Sequence, residues 1–331
     1  MELRGTQRPP YSRRMRPGWV FGLVGLVGAL VVVAGCGGRP ASLRAAPTQT
    51  EVPKISGATY VANDVCKGCH EDKFKEMENT LHGKLLGTKL SKGALQPQGC
   101  QACHGPGSKH IENPGPTTII VLGKGSFLPA PEQGAVCLQC HERGKRILWA
   151  GSPHDSRDVV CETCHSVHSP KSKKAQLQKE TEMALCAQCH QAKTAQFQRS
   201  SHMPASDLGE AGSLVCTSCH NPHGSTTDHL INAISTNDLC TSCHADKRGP
   251  FLWVHPPVME SCMNCHQPHG SNNAPLLRLK PPRLCQRCHD TNRHPTNPYT
   301  PSSRYVFNAS CLNCHSNIHG SNAPSGMYFT R

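Results

Sequence analysis

Aromatic residues make up 5% of the 331-residue sequence and hydrophobic residues of all kinds only 36%, while 29 Gly and 27 Pro break up any regular pattern. So little apolar side-chain volume excludes two or three domains built around ordinary cores. Acidic residues are also scarce, 22 Asp and Glu against 35 Lys and Arg, for a formal charge of +13. Taken alone, that charge admits a nucleic-acid or anionic-membrane partner. Long apolar runs are missing except for Trp19 to Ala34, whose 16 residues are short for a membrane-spanning helix. What the chain does have is 21 Cys and 21 His. Something other than side chains must form its core.

The apolar run follows Arg4, Arg8, Arg13, Arg14 and Arg16, the layout of an export signal over residues 1–35. It ends in Val33-Ala34-Gly35-Cys36, which resembles the bacterial lipobox whose Cys is lipidated. A cut further on, near Ala45-Ala46, and an uncleaved anchor are the alternatives. Met15-Arg16-Pro17 after Arg13-Arg14 fits a twin-arginine signal poorly, so general secretion is preferred. Residues 36–62, rich in Pro, Ala, Thr and Gly, read as a flexible tether.

From Cys66 onward C-x-x-C-H occurs ten times: Cys66-Cys69-His70, Cys100-Cys103-His104, Cys137-Cys140-His141, Cys161-Cys164-His165, Cys186-Cys189-His190, Cys216-Cys219-His220, Cys240-Cys243-His244, Cys262-Cys265-His266, Cys285-Cys288-His289 and Cys311-Cys314-His315. This is the spacing of covalent c-type haem attachment. Two thiols three residues apart add to the two vinyl groups of one porphyrin, and the next His is placed beneath the iron as proximal ligand. Zinc ribbons and a disulfide scaffold use paired cysteines too, but neither requires a His after the second Cys in all ten cases. The motifs use 20 of the 21 cysteines and Cys36 is the last. None remains for a disulfide.

Eleven other histidines are left for ten sixth positions. The motifs fall into five two-haem modules, about 64–116, 133–170, 183–232, 237–275 and 282–331, within a decahaem domain spanning 63–331. After the first motif of each module come His82, His154, His202, His255 and His294; after the second come His110, His168, His223, His269 and His319. His229 is the surplus. Met77, Met183, Met203, Met259 and Met263 do not recur in register, so bis-histidine ligation is expected throughout. Two imidazoles saturate the iron and leave no open position, so no haem is expected to be catalytic.

A His three residues beyond a proximal His cannot reach round to the opposite face of the same macrocycle, and should ligate a different haem. The sequence leaves open which His serves which iron. About 27 residues accompany each haem, less than an autonomous fold needs. The expected fold is therefore a haem-cored multihaem cytochrome c of short α-helices and coil with little β structure, an elongated wire of five modules. Met77, Trp149, Phe197, Phe251 and Trp253, just before the linker histidines, are expected on haem faces. A short strand is expected at 117–122 and a helix over 171–185.

Gly151-Ser152-Pro153-His154, the Cys-His-x-Pro-His-Gly-Ser units at Cys219 to Ser225 and Cys265 to Ser271, and the ending His319-Gly320-Ser321-Asn322-Ala323-Pro324-Ser325-Gly326 resemble the MtrA/DmsE/PioA family of periplasmic decahaem cytochromes. The resemblance covers nearly everything after residue 63. It implies an electron-transfer protein rather than an enzyme, located in the periplasm at the outer membrane. Its implied partners are an outer-membrane β-barrel porin, other multihaem cytochromes and periplasmic electron donors or acceptors. The lipobox departs from the soluble signal of the better-known members. A self-assembling surface filament and a multihaem reductase are the alternatives. Nucleic acid is not an expected partner: removing the five Arg and one Glu of residues 1–35 leaves a formal +9. Ten ferric haems with their propionates bring about −10.

Overall fold

The structure is a computed structural model that describes residues 51–86, 99–204, 214–289 and 310–330. The expected export signal, Cys36 and His294 lie outside the described residues. Among those described, the longest helix, Ala130–His141, has 12 residues, and β structure is limited to isolated bridges.

The motifs explain why helices are so short. In each C-x-x-C-H the His N–H reaches back four residues to the first Cys carbonyl, as from His70 to Cys66 (2.9 Å), His165 to Cys161 (2.9 Å) and His289 to Cys285 (3.0 Å). This is one α-turn, enough to set two sulfurs and an imidazole on one side of the chain. Helices or 3₁₀ turns accordingly sit at Asn63–Cys69, Gln101–His104, Cys161–Cys164, Cys216–Cys219, Cys262–Asn264 and Cys311–Asn313. Nothing in their sequence extends an apolar face beyond that turn.

Side-chain burial is equally sparse. The buried hydrophobic residues described are Ile120, Leu128, Ala135, Val136, Leu177 and Leu277. The one cluster, Ile120, Leu128 and Val136, gathers Leu122, Val52 and Ile55 around it. Val52 and Ile55 belong to the segment expected as a tether. Val61 is also held at both backbone groups by the buried Gln101 amide, 3.0 and 2.6 Å away. From residue 52 the chain is thus packed against the domain.

Residues 117–122 form no strand, correcting that expectation. They have no partner strand; Ile120 is the most buried hydrophobic residue and its carbonyl faces His104. The helix expected over 171–185 is also corrected, because only Glu182–Cys186 is helical. Ahead of it, Ala175 and Gln176 adopt φ of 58° and 51°, a left-handed turn no helix contains.

Successive modules cross at the His-Gly-Ser units. Ser201 and Ser271 exchange backbone hydrogen bonds of 3.0 and 2.7 Å, and Trp253 and Ser321 do the same at 3.0 and 2.9 Å. The glycine between His and Ser is what permits the crossing. At Gly270 (φ 137°) a Cβ would lie 2.0 Å from the Gln196 carbonyl oxygen, and at Gly224 (φ 119°) 2.0 Å from that of Leu148.

Candidate haem sites

Eight of the ten motif histidines each face one non-motif imidazole. The pairs are His70 with His110 (6.2 Å between ring centres), His104 with His168 (6.0 Å), His141 with His82 (5.9 Å) and His165 with His223 (6.0 Å). They continue with His190 and His154 (6.1 Å), His220 and His269 (6.0 Å), His266 and His319 (6.2 Å), and His289 and His255 (6.2 Å). An iron bridging two imidazole nitrogens at about 2 Å each, with each ring centre about 1.1 Å further back, sets the centres about 6.2 Å apart. The residues therefore fit one six-coordinate haem iron per pair. The four histidines that follow second motifs in modules two to five all face a different motif, as the three-residue argument required for His168, His223 and His269. His110 faces the first motif of its own module.

Hydrogen bonds fix which ring nitrogen is available. A carbonyl oxygen only accepts, so an Nδ1 beside one carries the proton and leaves Nε2 with its lone pair. Second-motif histidines point Nδ1 at a loop carbonyl downstream: His104 at Ile120 (2.7 Å), His165 at Ala175 (2.7 Å), His220 at His229 (2.8 Å), His266 at Pro275 (3.1 Å) and His315 at Tyr328. For the first-motif sites it is the facing histidine that is anchored: His110 at Gly115 (3.2 Å), His154 at Pro222 (2.8 Å) and His255 at Ile318 (3.1 Å). His202 bonds Met203 (2.8 Å), and His82 uses the side chain of Gln176 (2.7 Å). Each of the eight facing pairs thus has an imidazole held in orientation.

Burial also pushes His168, His223, His269 and His319 below the ordinary imidazole range, His223 to about 4. Desolvation penalises the cation, so these rings are neutral donors at neutral pH. Aromatic residues ahead of the linker histidines, expected on haem faces, lie against these same imidazoles or the glycine beside them. Trp149 is 6.2 Å from His223, Phe197 is 5.7 Å from His269, and Phe251 fills the space beside Gly320.

The cysteines order the sites. First-motif and second-motif thiols of a module meet through their leading cysteines, Cys66 with Cys100, Cys137 with Cys161, Cys186 with Cys216, Cys240 with Cys262 and Cys285 with Cys311. Between modules the trailing cysteines lie near enough to influence one another electrostatically, Cys103 with Cys140, Cys164 with Cys189, Cys219 with Cys243 and Cys265 with Cys288. The ten motifs thus follow one another in chain order. The twenty cysteines described are free of disulfides.

The doubled C-x-x-C-H family model matches residues 202–249 and 255–294, and the model described as cytochrome c-type protein NrfB-like matches 100–189. Over 279 residues, 81% of this chain and 81% of the relative, the sequence is 43% identical to "Multiheme cytochrome MtrA" of Shewanella baltica. The chain belongs to the MtrA family of multihaem cytochromes. Matches to "Cytochrome c-type protein NrfB" of Escherichia coli O6:H1 and Haemophilus influenzae are 28% identical, covering 38% and 39% of this chain and 63% and 64% of those proteins. As an MtrA-family member it is an electron-transfer protein carrying covalent c-type haem, built of helices and coil.

Some functional groups gave no signal in the sequence. The carbonyls of Ile120, Ala175, Pro275 and Tyr328 are backbone groups on residues of unrelated type. His229, the surplus histidine, belongs with them: its φ is 60° and its carbonyl, not its ring, meets His220. A position 9 to 16 residues beyond each second-motif His was the available clue.

Proposed function

We propose that the chain carries ten c-type haems, each ligated by two histidines, and passes electrons along them across the periplasm and outer membrane within a porin–cytochrome complex. The observation that carries this reading is the set of eight imidazole pairs, 5.9 to 6.2 Å apart, each joining a motif histidine to a non-motif one. The recurrence extends it: His202 goes with His244. Each haem supplies one-electron ferric–ferrous chemistry at a potential set by its ligands and surroundings. The protein's own part is to hold sulfurs of adjacent sites near one another and to fix imidazole planes through Nδ1. Two histidines on each iron would leave substrate no place to bind, which supports a conductor rather than an enzyme.

The lipobox at Cys36 and the Arg-rich signal support export with a lipid anchor at the outer membrane, and 43% identity to MtrA supports a porin as partner. Among the described residues no helix is long and apolar enough to cross a membrane. Whole-protein mass and pyridine haemochrome together count the haems; ten are expected, all low-spin. Affinity capture from detergent-solubilised outer membranes should bring down a large β-barrel protein in fixed ratio. Fibres formed by the protein alone, or a resting high-spin haem that turns over an oxyanion, would replace this reading with the filament or the reductase.

A further inference from the structure

His82 is anchored unlike its counterparts in other modules. His154 and His255 donate Nδ1 to the carbonyls of Pro222 and Ile318, each immediately before the second distal histidine of the next module. The matching carbonyl for His82 is that of Val167, yet its Nδ1 lies 2.7 Å from Gln176 Oε1. Gln176 occupies a recurring place. Its carbonyl accepts from the N–H of Ser166, as those of Leu230 and Leu276 accept from Asn221 and Gln267, and all three residues have φ between 51° and 59°. Phe329, at φ 52°, closes the last module in the same way. Three of these four turns carry an apolar side chain, and Phe329 lays its ring 5.4 Å from His255. Only Gln176 offers an acceptor.

The Gln176 amide makes no other hydrogen bond: its Nε2 is buried and has no partner. The neighbouring Ala175 carbonyl holds His165 at 2.7 Å. One left-handed turn thus orients a ligand of the third site through Gln176 and one of the fourth through Ala175.

We propose that Gln176 is a positioning residue that sets the orientation and electron donation of His82, and so the potential of the third haem independently of the other nine. An acceptor on Nδ1–H makes an imidazole a stronger donor through Nε2 and favours the ferric state. The His82 and His141 rings cross at 62°, whereas His165 and His223 lie within 12° of parallel. His154 and His190 cross at 66° on a carbonyl anchor, so the steep angle itself needs no amide; at His82 the group that fixes the ring plane is the Gln176 oxygen.

This rests on His82 and His141 being ligands of one haem, and the test separates the two ideas. His82→Ala should convert one haem to high-spin; ten low-spin haems in that variant would overturn the ligand assignment. In the holoprotein, Gln176→Leu, which copies Leu230 and Leu276, should keep ten low-spin haems. One transition of the redox titration should move to higher potential, and one steep-angle signal should leave the electron paramagnetic resonance spectrum. Gln176→Glu should move that same transition lower and keep the signal. If His82→Ala goes high-spin while both Gln176 variants titrate like the wild type, or if several haems shift together, the role assigned to Gln176 is wrong.

Discussion

Replacing Gly270 by Ala puts the module crossing under direct strain. The new Cβ falls 2.0 Å from the Gln196 carbonyl oxygen, where 3.4 Å is ordinary contact, so the segments must part by about 1.4 Å. The backbone there, at φ 137°, lies outside the region open to a side chain, which costs about 1–3 kcal/mol. Parting the chains also breaks the two Ser201–Ser271 hydrogen bonds, worth about 1 kcal/mol each. The next residue back is His269, whose ring is 6.0 Å from His220 with no slack if one iron joins them. The variant should lose about 3–5 kcal/mol and release His269, leaving one haem high-spin. Carbon monoxide titration of the reduced protein reads this directly, because only an open iron binds it. Gly125→Ala is the control: its φ is 91° but no atom stands within 4 Å of the new Cβ, so it bears strain without a clash. If Gly270→Ala binds no carbon monoxide and melts like Gly125→Ala, the crossing does not hold His269 in place.

His154→Ala should open the haem of Cys186 and Cys189, in the following module, and leave those of its own module low-spin; mass-mapped resonance Raman or site-labelled spectra distinguish the two. The ring planes of His82–His141 and His154–His190 cross at 62° and 66°, against 12–21° for five of the other pairs. The ferric protein should therefore show two haems' worth of strongly anisotropic low-spin signal beside a larger rhombic one. Burial raises the pKa of Glu162 above its unfolded value of 4.5, and its Oε2 has no partner. The folded state then binds the extra proton, so stability falls as pH rises from about 4.5 through the folded pKa. Glu162→Gln should match the wild type below that window and melt higher above it. Made without haem attachment, the chain keeps six buried hydrophobic side chains among the described residues, and should give the circular dichroism of an unfolded protein.

The C-x-x-C-H motifs and the histidines that face them in eight pairs were legible because each is a side-chain signal at fixed spacing. Their pairing was not, since His269 meets His220 only after two modules have crossed, and that crossing depends on a glycine whose need is visible only against Gln196. The stretch 171–185 shows where composition misleads. Lys, Ala and Gln favour a helix, yet the turn at Ala175 and Gln176 must deliver a carbonyl to His165 and an amide to His82, and that requirement overrides propensity. Likewise Thr117 to Leu122 looks extended by residue type, but no edge is present for it to pair with.

Cross-module ligation has a bearing on how such a chain can be lengthened or cut. If each facing pair holds one iron, a site inside the array borrows an imidazole from its neighbour, and a break after any inner module would strand an iron with one ligand, as loss of His269 would strand His220. Among the described pairs, the one formed within a single module is His110 with His70, in the first module, which so ends the series without an open site. It serves as the terminal cap that repeat proteins need. Arrays of this kind can grow by whole inner modules between fixed ends, while a truncation turns the last haem of the conductor into a reactive one.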